Sequence, residues 1–92
     1  MNTTIATTTY EIQTISSAFA GRIPEHLWRT KAVARSLRGA YQAYAEQYRW
    51  YHPEPNCWSG HVRIVEQPSG RQVQITRIST VRGVRYQLDY LD

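Results

Sequence analysis

Residues 24–53, PEHLWRTKAVARSLRGAYQAYAEQYRWYHP, decide how this chain is read. Pro24 and Glu25 suit a first helical turn, because proline has no amide to leave unpaired there and a carboxylate meets the positive end of the helix dipole. Pro53 disfavours helical geometry in the residue before it, and Pro55 blocks any resumption. Between these signals Ala34, Leu37, Tyr41, Tyr44, Tyr48 and Tyr51 follow one another at spacings of 3, 4, 3, 4 and 3, which lines them up on one face of an α-helix. One long helix is therefore expected from Pro24 to Tyr51 or His52. Gly39 interrupts it at a cost of about 1 kcal/mol relative to alanine. A bend there, a close approach to another backbone, or a division into two helices are the options.

Toward the N-terminus, Tyr10, Ile12 and Thr14 alternate with Glu11 and Gln13, which predicts a strand from Thr8 to Ile15. Residues 1–7 are expected to fray. A turn of helix at Ser16 to Ala20 would be stopped by Gly21. Toward the C-terminus, His61 to Glu66 and Arg71 to Ser79 flank the turn Gln67-Pro68-Ser69-Gly70 and read as a β-hairpin. After Val81-Arg82-Gly83, the residues Val84, Tyr86, Leu88 and Tyr90 alternate with Arg85, Gln87 and Asp89, which predicts a third strand with one buried face. Val62, Ile64, Val73 and Ile75 form the matching inward set. His61, Arg63, Gln72, Gln74, Thr76, Arg85 and Gln87 fall on the outer face. The expected fold is α+β: an N-terminal strand, one long helix, then a three-stranded antiparallel sheet packed on it as a two-layer sandwich.

The 92 residues suffice for one domain and not for two. A core this small gains from assembly, so a homo-oligomer is one expected source of added stability. The single cysteine, Cys57, excludes an intrachain disulfide. No basic segment followed by an apolar core opens the chain, and no apolar run approaches the roughly 20 residues that span a bilayer. The expectation is a cytoplasmic protein with no membrane insertion.

The net charge is +4, and it is unevenly placed. Between Gly21 and Gly39 lie Arg22, Arg29, Lys31, Arg35 and Arg38 against Glu25 alone, so this stretch accounts for the whole excess. Lys31 is the one lysine among 11 basic residues. Arginine's planar fork suits bidentate contacts to phosphate or base edges, although codon usage in a GC-rich genome produces the same bias. On the expected helix, Lys31, Arg35, Arg38, Gln42 and Arg49 share a face about a quarter-turn from the tyrosines. Such a ridge could follow a nucleic-acid backbone, DNA or RNA; the plainer reading is a solvated face. Arg29, Lys31, Arg35, Arg38 and Arg49, with Arg63 and Arg85 on the sheet, form the expected nucleic-acid-binding set.

Trp28, Trp50, Trp58 and Tyr51 are the expected anchors for a protein partner, since large aromatics dominate such contacts. His52, Cys57 and His61 are residue types that bind zinc, but structural zinc takes four ligands in compact pairs, and no metal or cofactor is expected. Cys57 with His52 or His61 as a nucleophile and base would also need an oxyanion site and an orienting group, for which no residue pattern speaks.

Three functions follow. The first is a small non-enzymatic nucleic-acid-binding accessory or regulatory factor. The second is a protein-interaction module, such as an adaptor, an assembly factor or an inhibitor of a larger complex encoded by a mobile element. The third rests on Arg77, Arg82, Arg85 and Tyr86 following a strand and a helix: this element order resembles the messenger-RNA-cleaving bacterial toxins of the RelE type. That resemblance implies ribonuclease activity from basic residues and a tyrosine near the C-terminus.

Overall fold

The computed structural model of the chain describes residues 7–16, 27–51 and 60–91. Its elements are β1 (Thr9–Ser16), β2 (Arg29–Ala34), α1 (Leu37–Tyr51), β3 (Gly60–Gln67), β4 (Gln72–Thr80) and β5 (Gly83–Tyr90). The strands form one five-stranded sheet in the order β2-β1-β3-β4-β5, and every neighbouring pair is antiparallel.

The expected three-stranded sheet with a separate N-terminal strand is therefore incorrect. β1 lies inside the sheet, paired to β3 from Thr9↔Gln67 to Ser16↔Gly60 and to β2 from Tyr10↔Ala34 to Thr14↔Arg29. The long helix from Pro24 is incorrect too, because residues 29–34 are extended. Arg-Thr-Lys-Ala-Val-Ala carries no strong strand signal, and its alanines favour helix in isolation. Pairing with β1 overrides that preference: Ala32 opposite Ile12 and Ala34 opposite Tyr10 are small enough to sit beneath the helix. The helix turn expected at Ser16 to Ala20 meets a strand at Ser16; residues 17–20, like the expected helix start at Pro24, lie outside the described residues.

The helix begins where its cap is. Ser36 Oγ accepts a hydrogen bond from the Gly39 amide at 3.0 Å, and the Ser36 carbonyl accepts the Ala40 amide at 3.0 Å, which is N-cap geometry. Gly39 lies in this first turn rather than at a bend, and a Cβ on it would crowd the cap, 3.1 Å from Ser36 Oγ and 3.5 Å from Ala34 Cβ. α1 thus leaves β2 at once and crosses the sheet to β3.

The core lies between α1 and one face of the sheet. Ile12, Ala40, Ile64, Val73 and Ile75 are buried there, with Leu37, Tyr41, Ala43, Tyr44, Val62, Tyr86 and Leu88 packed around them. The inward set Val62, Ile64, Val73 and Ile75 faces the helix as the strand alternation requires. Tyr41 and Tyr44 also pack inward, Tyr41 against Tyr86 with ring centroids 5.5 Å apart, while Tyr48 is exposed. On the opposite face Ile15 and Val65 are buried as well.

β3 and β4 pair only at their hairpin end, through Ile64↔Val73 and Val65↔Gln72. β4 and β5, by contrast, stay paired from Val73↔Tyr90 to Thr80↔Gly83. A cleft of about 260 Å3 opens where β4 parts from β3, lined by Tyr44, Val62, Ile64, Gln74, Ile75 and Leu91 among others. The β4–β5 hairpin extends past it as a two-stranded ribbon.

Candidate nucleic-acid interface

The expected basic ridge does not lie on one helix. Lys31 belongs to β2, Arg35 to the turn that follows, and only Arg38, Gln42 and Arg49 to α1. Arg29 and Lys31 sit on an edge strand, and Lys31 is the extra residue of a bulge: Ile12 faces Ala32, but Gln13 faces Thr30. A lysine and a bulge on an edge also blunt strand-to-strand aggregation, so part of this charge has a structural use.

The second basic group is on the ribbon. Pairing places Arg77 opposite Tyr86, Ile78 opposite Arg85 and Thr80 opposite Gly83, with Arg82 in the turn. Arg77 therefore projects on the helix-facing side, Arg85 on the outer side, and Arg82 at the tip. Arg77 and Arg82 were not in the expected binding set; the signal that marks them is the absence of any carboxylate between Glu66 and Asp89.

Arg29, Lys31, Arg35, Arg38, Arg49, Arg77, Arg82 and Arg85 are all exposed, and none makes an ion pair with another described residue. Two carboxylates that could have neutralised them are held by neutral donors instead. Glu11 accepts from Thr30 at 2.7 Å and from the Gln67 amide at 2.6 Å. Glu66 accepts from Ser69 at 2.8 Å and from the Tyr90 hydroxyl at 3.0 Å. That bond, first, and the proximity of the Glu66 charge hold the Tyr90 phenol above its ordinary value, since the tyrosinate would lose its acceptor.

Arg63 is engaged differently. Its guanidinium lies 4.2 Å from the centre of the Trp28 ring, and its Nε donates to Gln13 at 2.8 Å. Trp28, Arg63 and Gln13 thus form a stack on the outer face, and Trp28 is half-buried. Along the helix, Tyr44 and Tyr48 stack with centroids 5.9 Å apart beside Arg49, over a shallow depression of about 360 Å3.

The remaining expected positions divide as follows. Trp50 and Tyr51 fall in the last turn of α1, and Trp58, His52 and Cys57 lie outside the described residues. His61 is on β3 opposite Ile15. Among the described residues no three His, Cys, Asp or Glu side chains gather as a metal site, and no helix is long and apolar enough to cross a membrane. Arg77, Arg82, Arg85 and Tyr86 do not converge on a pocket: they are spread over both faces and the tip of the ribbon, and Tyr86 packs on Tyr41. The element order β-β-α-β-β-β also differs from the one on which the toxin resemblance was based. Comparison with protein families, curated proteins and solved structures finds no match.

Proposed function

We propose that this protein is a small nucleic-acid-binding factor that acts by binding rather than by catalysis, in an accessory or regulatory role. The observation that carries the reading is the exposure of Arg29, Lys31, Arg35, Arg38, Arg49, Arg77, Arg82 and Arg85, none of which is ion-paired with another described residue. Uncompensated guanidinium groups hold phosphates bidentately, and each phosphate they neutralise releases counterions from the nucleic acid. The basic residues sit on both edges of one sheet and on the helix that crosses it, so a polyanion could be held at several points.

The test is a fluorescence-anisotropy titration of the protein against labelled double-stranded DNA, single-stranded DNA and structured RNA over a series of salt concentrations. The affinity is expected to fall linearly with salt on logarithmic axes, and Arg35→Gln with Arg38→Gln is expected to reduce that slope by about 2. No binding to any probe at low salt would refute the reading.

A second reading has one observation of its own. The stacked Tyr44–Tyr48 pair beside Arg49 combines the residue types that anchor protein interfaces, over an open depression. If nucleic acid fails to bind, Tyr48→Ala and Arg49→Ala are the substitutions with which to test a protein partner.

A further inference from the structure

We infer that the β4–β5 ribbon reads duplex DNA by entering its major groove. The inference rests on the nucleic-acid reading above and narrows it to one element and one form of nucleic acid. From Gln74 outward, β4 is paired only with β5 among the described strands. That part of the ribbon is two described strands wide, with about 4.8 Å between backbones, and its seven residues from Gln74 to Thr80 extend about 23 Å. A major groove about 12 Å wide admits a two-stranded ribbon, whereas a minor groove about 6 Å wide does not without deformation.

The outer face of the ribbon has the chemistry that base edges need. Thr76 faces Gln87 across the strands, Ile78 faces Arg85, and Gln74 lies one step nearer the root. Gln74, Thr76, Arg85 and Gln87 are all exposed. A glutamine amide can pair with both major-groove atoms of adenine, an arginine with both of guanine, and a threonine methyl can meet that of thymine. The one carboxylate on this face, Asp89, lies at the root opposite Gln74, where it accepts the Gln87 amide at 3.4 Å.

Phosphate contacts come from the flanks. Arg77 projects from the other side of the ribbon and Arg82 from its turn, so two cations lie beyond the polar face, within the span of the ribbon, where phosphates of a bound duplex can be reached. Competing forms of nucleic acid fit less well. The major groove of A-form RNA is too deep and narrow for side chains to read. Single strands are held by stacking on aromatic rings, and the outer face of β4 and β5 carries none.

The experiment takes a duplex DNA pool with a randomised centre, selects the tightest sequences with the wild-type protein, and measures them with three changes. Methylation of guanine N7, which protrudes into the major groove, is expected to weaken binding about tenfold or more; a minor-groove ligand such as netropsin is expected to leave it unchanged. Arg85→Gln with Gln87→Ala, both at exposed positions and checked for an unaltered melting curve, is expected to abolish the preference among sequences and, through the lost charge, to reduce the salt slope by about 1, with the binding that remains still salt-dependent. Arg35→Gln with Arg38→Gln is expected to weaken all sequences equally. Insensitivity to N7 methylation together with displacement by netropsin would overturn the inference, as would binding only to RNA or single strands. In either case the general nucleic-acid reading would stand. Failure to bind any nucleic acid would remove both.

Discussion

The Ser36 hydroxyl accepts the Gly39 amide at 3.0 Å, and this one bond marks where the chain changes from strand to helix. It satisfies one of the amides that a helix leaves unpaired at its N-terminus. Ser36→Ala is expected to cost about 1 kcal/mol of stability, measured as a lower urea midpoint, and Ser36→Asp is expected to retain most of it. Equal losses from both substitutions would mean that the cap does not matter.

Gly39 is coupled to the same bond. Alanine there would gain about 1 kcal/mol of helix propensity, but its Cβ would lie 3.1 Å from Ser36 Oγ and 3.5 Å from Ala34 Cβ. Gly39→Ala is therefore expected to yield less than that gain in the wild-type chain and to approach it in the Ser36→Ala background, where the hydroxyl is gone. Identical effects in the two backgrounds, measured as a double-mutant cycle, would show that the crowding is relieved without cost.

The same junction explains what could be read from the sequence. The hairpin from His61 to Ser79 and the last strand were legible because β-branched residues alternate with polar ones and Pro68, Gly70 and Gly83 mark the turns, with Gly70 and Gly83 at positive φ. The tyrosine spacing was legible for the same reason, and it does place Tyr41 and Tyr44 on the core side of α1. β2 was not, because its alanines favour helix in isolation, and Ala34 continues the helical spacing of Leu37 and Tyr41 by coincidence. Reading through it moved Lys31 and Arg35 onto a helix face that does not exist. The ribbon was visible in part: its strands follow from periodicity, but its separation from β3 depends on long-range pairing that no local pattern encodes.

Ile12 is fully buried where β1, β3 and α1 meet, opposite Ile64 on one side and Ala32 on the other. Ile12→Ala is expected to destabilise the protein by about 2–5 kcal/mol and Ile12→Val by about 0.5–1.5 kcal/mol. Chemical denaturation of both variants checks this; a loss under about 1 kcal/mol for the alanine variant would mean that the site collapses freely.

The edge strand β2 gives a prediction about assembly. Val33 is 60% exposed on it, and Lys31 occupies the bulge between the Ile12↔Ala32 and Gln13↔Thr30 pairs. Arg29→Thr with Lys31→Val would remove the charges that discourage another strand from docking. The double variant is expected to change monomer stability by roughly 0.5 kcal/mol at most while its light-scattering mass rises with concentration. An unchanged mass at all concentrations would leave the two cations without a protective role and strengthen their assignment to phosphate binding.

Among the described residues, three tyrosines bear on how stability responds to alkali. Burial, and then the charge of Glu66, raise the Tyr10 phenol; burial, and then Tyr48, raise Tyr44; the bond to Glu66 leads the rise at Tyr90. Each folded-state value lies above the unfolded one of 10.0, so the folded chain keeps protons that the unfolded chain releases. The stability from these groups is fully present below about pH 10 and is lost as pH rises through the folded values. Urea midpoints taken from about pH 8 to about pH 11 are expected to stay level with respect to these groups and then fall. Tyr44→Phe removes one of the groups and is expected to make the fall shallower, whatever its effect at neutral pH. A fall equally steep in wild type and Tyr44→Phe would show that the Tyr44 hydroxyl loses its proton as easily in the folded chain as in the unfolded one.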